Sequence, residues 1–82
     1  MARIIDGERQ NIIGGRIRNA RIKAGLSQET LSIKLETLAV YVCRGSISRI
    51  ESYLRTVTDI EIDAFCKVLK VSPEYLFSTN ND

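Results

Sequence analysis

Apolar residues recur along the chain three or four positions apart, which is the spacing of amphipathic helices, and alternating strand patterns are sparse. The recurring positions form four groups: Ile13, Ile17, Ala20 and Ala24; Leu31, Leu35 and Leu38; Ile47, Ile50 and Leu54; Ala64, Phe65, Val68 and Leu69. Each group can form one buried stripe along a helix. The pattern therefore predicts an all-α domain.

Helix starts are predicted from the hydrophobic staple, in which an apolar residue before the N-cap pairs with one at the fourth helical position. Ser27, Thr58 and Ser72 satisfy this rule as N-caps, and the glutamate three residues after Thr58 completes a capping box. Cys43 satisfies it as well, although a thiol is a weak capping acceptor. The predicted helices cover about 9–24, with Gly25 as a left-handed cap, 28 to about 39, 44 to about 53, 59–70 and 73–77.

The length and composition indicate one globular domain. A chain of 82 residues can build a single core, and 44% hydrophobic with 27% charged residues is ordinary for a protein that folds in water. The charged N-terminus lacks the apolar centre of a signal peptide, so we expect a cytoplasmic protein without a membrane partner. We predict an N-terminal arm over 1–10, a domain over 11–77 and a disordered polar tail over 78–82.

Charge is unevenly distributed, although the net charge is only +2. Residues 1–26 carry six Arg or Lys against two acids, residues 27–56 four against three, and residues 57–82 two against five. A basic front half and an acidic back half are typical of a module that binds a polyanion.

Catalytic and metal-binding chemistry is not indicated. The sequence has no histidine, and two distant cysteines, Cys43 and Cys66, cannot build a tetrahedral metal site. No nucleophile–base pair, phosphate-cradling glycine loop or acid pair is evident, so we expect neither an enzyme nor a cofactor. Both thiols are expected to be free. Cys43, at a helix N-terminus, is interpreted as a small inert residue rather than as a redox-sensitive thiol.

Three segments carry a family resemblance: RNARIKAGLSQETLSIKL, SISRIES and VTDIEIDAFCKVLKVSPEYLF. Over residues 12–77 they resemble the helix-turn-helix domains of phage repressors and Cro proteins, often called the Xre family. The resemblance implies a compact four- to five-helix lambda-repressor-like DNA-binding domain. It also implies a sequence-specific regulator of transcription, expected to be a repressor, which binds double-stranded DNA as a homodimer with its third helix in each major groove.

The same resemblance implies which side chains contact DNA. The implied base-reading residues are Arg44, Gly45, Ser46 and Arg49. The implied phosphate-binding residues are Gln28, Ser48, Tyr53 and Arg55, with Arg16, Arg18 and Lys23 of second rank. Ser48 could instead face an edge base, Tyr53 could instead cover the core, and the two base-reading arginines could simply solvate an amphipathic helix. Arg21 and Glu51 correspond to an ion pair that clamps the first helix to the third.

The connection between the second and third helices departs from the family pattern. It is about five residues longer than usual, and the excess lies in 36–43, so we expect either an extra turn of the second helix or a longer apolar loop. The apolar run 38–42 is interpreted as core rather than as a binding surface. If it is exposed, the alternative function is a protein-interaction module such as an antitoxin or anti-regulator.

The C-terminal segment is the predicted dimer interface. Its candidate residues are Tyr75, Leu76 and Phe77, and closure of the monomer core is an equally weighted alternative for them. Because the DNA-binding domain takes up the whole chain, we expect no small-molecule-binding domain.

Overall fold

The computed structural model describes residues 9–78, and these form five helices and no strand. The helices are α1 Gly14–Lys23, α2 Gln28–Glu36, α3 Arg44–Glu51, α4 Asp59–Leu69 and α5 Pro73–Phe77. The predicted all-α class is confirmed. Most of the predicted N-terminal arm, and the predicted tail after Ser78, lie outside the described residues.

The predicted capping residues begin their helices as expected. The side-chain oxygens of Ser27 and Ser72 each accept a backbone N–H three residues later, and Thr58 forms the full capping box with Glu61. Cys43 precedes α3 in the same extended conformation but makes no capping hydrogen bond. The recognition-helix candidate therefore begins without an oxygen cap, so tertiary contacts must hold its first turn.

Helix α1 begins at Gly14, five residues later than predicted, because the Asn11 side chain forms hydrogen bonds with the backbone at this point of the chain. The side-chain oxygen of Asn11 accepts the N–H groups of Ile13 and Gly14 at 3.1 and 2.8 Å. Its amide nitrogen donates to the carbonyls of Ile50 and Arg55 at 3.1 and 2.9 Å. One side chain thus joins the start of α1 to the end of α3 and the following turn.

The five helices enclose one apolar core. Its buried members are Ile13, Ile17, Ala20, Leu31, Leu35, Val42, Ile47, Ile50, Ala64, Phe65, Leu69 and Leu76. Three predicted core positions are instead exposed: Ala24, Leu38 and Leu54. All three lie just beyond the end of a helix, so none of them continues its buried stripe.

The long connection between α2 and α3 is a loop, because α2 ends at Glu36 and Ala39 turns the chain at φ 61°. The prediction of a core role for the whole 38–42 run is therefore only partly right. Val42 is buried and Val40 packs on the core, whereas Tyr41 is 73% exposed. The Ser32 hydroxyl donates to the Val42 carbonyl at 2.7 Å and fixes the loop to α2 just before α3 begins.

None of the five helices in the described part of the chain is long and apolar enough to cross a membrane.

Candidate nucleic-acid interface

Helix α3 presents one polar face to solvent. Ile47 and Ile50 are completely buried and fix the opposite face of the helix to the core. Four predicted DNA-contacting residues are exposed together and line, with Gln28 of α2, an open cleft of about 350 Å³: Arg44, Gly45, Ser48 and Arg49. None of the five lining residues is acidic. The structure therefore assembles a basic surface from these predicted residues.

The predicted ion pair between α1 and α3 is confirmed. Arg21 Nε lies 2.7 Å from Glu51 Oε2, and Arg21 Nη2 lies 3.0 Å from Glu51 Oε1. The third guanidinium nitrogen, Nη1, donates to the carbonyl of Leu26 at 2.9 Å. Glu51 is buried, and its hydrogen bonds raise the pKa of Arg21 above the ordinary value. Because the arginine is bidentate, the pair fixes the orientation of α3 relative to α1.

Gln28 joins the same network from the first position of α2. Its amide nitrogen donates to Glu51 Oε1 at 3.0 Å, so Gln28 supports the end of α3 from α2. Glu51 thus receives donors from both α1 and α2. The phosphate contact of Gln28 stays a prediction, and its place at a helix N-terminus beside the basic cleft favours an anionic partner.

Ser46 lies apart from the other predicted base-reading residues. It is half-buried and borders a separate groove of about 290 Å³, together with Ser32 and Glu36 of α2 and with Cys43. Its base-reading role stays a prediction, although its environment differs from that of Arg44 and Arg49.

Arg55 already has an internal partner. Its guanidinium forms two hydrogen bonds of 3.0 and 2.9 Å with Glu61, the capping-box residue of α4, and a third with the Thr56 carbonyl. The pairing raises the pKa of Arg55 and lowers the pKa of Glu61. A phosphate at Arg55 would have to share the guanidinium with Glu61. The sequence pattern could not reveal this, because Glu61 was already explained by capping.

Tyr53 occupies a left-handed turn after α3, at φ 66°, a backbone conformation that favours glycine. Its carbonyl accepts the Gln10 N–H at 2.8 Å, and the guanidinium of Arg9 lies over its ring at 4.1 Å. Arg16 stacks similarly on Tyr75, at 4.8 Å from the ring centroid. Tyr53 thus sits where the end of α3 meets the start of α1.

Comparison with known proteins assigns the fold. A helix-turn-helix family model of the Cro/C1 type matches residues 17–76. The crystal structure of the restriction-modification controller protein C.AhdI from Aeromonas hydrophila is similar, with 31% sequence identity and a TM-score of 0.68, over 79% of this chain and 87% of that one. The chain belongs to the Cro/C1-type helix-turn-helix family. It is a DNA-binding transcriptional regulator. No match was found among curated proteins.

The C-terminal segment of this helix-turn-helix regulator divides into core and surface. Leu76 is completely buried in the monomer core, which was the alternative for this residue, so it is no longer an interface candidate. Phe77 is 48% exposed, and Tyr75 is half-buried. Tyr75 and Phe77 remain available for contact with a second copy.

The two thiols of the regulator should differ sharply in reactivity. Cys43 is exposed, and hydrogen bonding between its thiol and Ser46 lowers its pKa; Cys66 is half-buried, and burial raises its pKa. Because the thiolate is the nucleophile, we expect Cys43 to react with iodoacetamide at pH 7.5 about tenfold or more faster than Cys66. Peptide mass spectrometry on a time course measures both rates, with the urea-unfolded chain as the control. Equal rates in the folded protein would contradict the assigned environments.

Proposed function

We propose that this regulator binds double-stranded DNA sequence-specifically in the cytoplasm, with α3 in the major groove, and represses transcription from the sites it occupies. One observation carries the proposal: Arg44 and Arg49 are exposed and line the same open cleft on α3, while the buried Ile47 and Ile50 fix the other face of that helix to the core. Within residues 9–78, neither arginine forms an ion pair with a carboxylate. Their guanidinium donors are therefore available to a partner.

The chemistry of the two arginines suits base edges. A guanidinium can donate two parallel hydrogen bonds to O6 and N7 of guanine, and each such pair is worth about 1–3 kcal/mol of discrimination against other bases. Ser48 and Gln28, which line the same cleft, are suited to phosphate or edge contacts that position the helix. Gly45 offers no side chain, so close approach of its backbone is its contribution.

We also propose that the active form is a homodimer on a near-palindromic site, because two copies of α3 would then read two half-sites one helical turn apart. The exposed Phe77 at the end of α5, beside the half-buried Tyr75, supports an interface at this end of the domain. We propose in addition that the regulated genes encode a restriction-modification system, because the chain is similar to a restriction-modification controller protein.

The first test is a titration of labelled DNA from upstream of the gene and of random DNA of equal length, at several salt concentrations. The proposal requires tighter binding to one upstream site and a steep loss of affinity with salt, because phosphate contacts release counterions. Binding that does not distinguish the two DNAs, or that scarcely changes with salt, would refute it.

Alanine variants should distinguish residues that read bases from residues that bind phosphates. Arg44→Ala and Arg49→Ala are each expected to weaken the best site by about 1–3 kcal/mol while leaving mismatched sites nearly unchanged. Gln28→Ala should instead weaken all sites alike. The measurement is the affinity of each variant for the operator and for single-base variants of it, with Lys67→Ala on α4 as a charge control. A uniform loss in all three variants would remove the assigned reading roles.

A second candidate function is a protein-interaction module, such as an antitoxin or anti-regulator. The observation that favours it is the exposure of Leu38 and Tyr41 on the α2–α3 loop, where 42% and 73% of their surfaces are accessible. Large apolar side chains exposed close together can mark a contact with another protein. The DNA titration distinguishes the two candidates, because this second function does not require a preferred site.

A further inference from the structure

Gly45 shares the exposed surface of α3 with the two arginines to which the proposed function assigns base contacts. All three residues are exposed and line the same cleft. A Cβ on Gly45 would lie 3.8 Å from Arg49 Nη1, so the guanidinium of Arg49 lies close to the backbone of this glycine. Arg49 therefore extends back along α3 by about one helical turn, toward the first residues of the helix.

The charge of Arg49 also acts on the start of α3. Hydrogen bonding with Ser46 is the main cause of the lowered pKa of Cys43, and the positive charge of Arg49 lowers it further. The first turn of α3 contains no acidic residue that could attract the guanidinium in another direction. The space next to Gly45 is therefore what accommodates the end of the Arg49 side chain.

We propose that Gly45 is a specificity-determining residue of this regulator, because the space next to its Cα holds the guanidinium of Arg49 in the cleft beside Arg44. The inference rests on the proposed function. Side chains four residues apart are neighbours on a helix, so a side chain longer than a methyl group at position 45 would displace Arg49. A guanidinium reads guanine through two parallel hydrogen bonds, and a displaced one loses both. Gly45 is thus a positioning residue that acts through Arg49, which differs from a direct contact of its own backbone with DNA.

The test measures how residue 45 changes the preference for guanine at the base pair that Arg49 reads. That pair is the one at which Arg49→Ala removes the preference for guanine over adenine. Gly45→Leu is expected to lower this preference about fivefold or more, because leucine fills the space and cannot hydrogen-bond a base. The preference at the pair read by Arg44, identified in the same way with Arg44→Ala, should change less than about twofold. A general loss of affinity cancels in both ratios.

Gly45→Ala is the matched variant, because its Cβ would meet Arg49 Nη1 at an ordinary contact distance. It should keep the guanine preference within about twofold of the wild type. Both variants are expected to fold, since alanine and leucine are favoured over glycine in a helix and position 45 is exposed. Circular dichroism and thermal unfolding check this before the DNA titrations.

The Arg49→Ala background decides whether Gly45 acts through Arg49. There is no guanidinium to displace in that background, so Gly45→Leu should leave the guanine-to-adenine ratio unchanged. If Gly45→Leu keeps the preference when Arg49 is present, or lowers it equally at both pairs, the inference is overturned. An equal loss of affinity with and without Arg49, at an unchanged ratio, would show that leucine acts directly on DNA and would also overturn it.

NMR of the free protein gives an independent measurement. The Nε–Hε resonance of Arg49 should shift more in Gly45→Leu than in Gly45→Ala, whereas that of Arg21, which is bonded to Glu51, should not move. An unmoved Arg49 resonance in Gly45→Leu would contradict the inference. In all these failures the loss of base preference in Arg49→Ala would still stand, so they are distinguishable from failure of the proposed function. If no base preference depends on Arg49, the reading role and this inference are refuted together.

Discussion

Replacing Glu51 with alanine is expected to lower the free energy of unfolding by about 3–5 kcal/mol, because the change leaves the charge of Arg21 without its partner in a largely buried place. The side chains of Arg21 and Glu51 are only 11% and 4% exposed. Gln28 would lose its acceptor as well. For a domain of this size, such a loss removes a large part of the total stability. Urea unfolding followed by far-ultraviolet circular dichroism measures it.

Glu61→Ala is the matched control, because Glu61 also accepts two hydrogen bonds from one arginine, Arg55. The Arg55 and Glu61 side chains are 28% and 13% exposed, so the solvent compensates more of that loss, and we expect about 1–2 kcal/mol including the capping box. Equal losses in the two variants would show that burial does not distinguish the pairs, and would contradict the clamp assigned to Glu51.

The second large effect is expected at Gly14, where α1 passes directly over the carbonyl oxygen of Ile50. A Cβ on Gly14 would collide with that oxygen, which belongs to the backbone and cannot rotate away. Gly14→Ala is therefore expected to destabilise the domain by about 3 kcal/mol, at the upper end of overpacking effects. It should also disturb the contacts of Asn11, whose side chain bonds both Gly14 and Ile50. Thermal and urea unfolding measure the loss.

Gly45→Ala provides the opposite expectation at the start of another helix. A Cβ there would meet only Arg49 Nη1, at 3.8 Å, an ordinary contact. Because alanine is favoured over glycine in a helix by about 1 kcal/mol, this variant should be as stable as the wild type or slightly more stable. If Gly14→Ala were also as stable as the wild type, the close contact between Gly14 of α1 and the Ile50 carbonyl of α3 would be refuted.

The local rules of helix formation predicted much of this fold from the sequence. The caps at Ser27, Thr58 and Ser72, the left-handed Gly25 and the bounds of α5 depend on neighbours within a few residues, and all agree with the structure. The start of α1 does not agree with the prediction, because Asn11 donates hydrogen bonds to the carbonyls of Ile50 and Arg55. These residues lie 39 and 44 positions further along the chain. A periodic pattern carries no information about such a contact.

The candidate site shows the same division. Apolar spacing predicted that Ile47 and Ile50 are buried, which leaves Arg44 and Arg49 on the exposed surface of α3, and family resemblance predicted the Arg21–Glu51 pair. Neither could separate Ser46 from that surface or reveal the pairing of Arg55 with Glu61, because both depend on how distant segments pack. Nor did they bring Arg9 together with Tyr53, which meet only through the fold.

The hydrogen bond between Ser32 and Val42 has a consequence for how this chain could tolerate insertions. Val42 is buried and its carbonyl is held by α2, so the entry to α3 is fixed immediately before the helix begins. The segment from 37 to 41 is mostly exposed and lies outside that anchor. Residues could therefore be added or removed there without displacing α3, as in other surface loops. The length of this loop can vary independently of the position of α3.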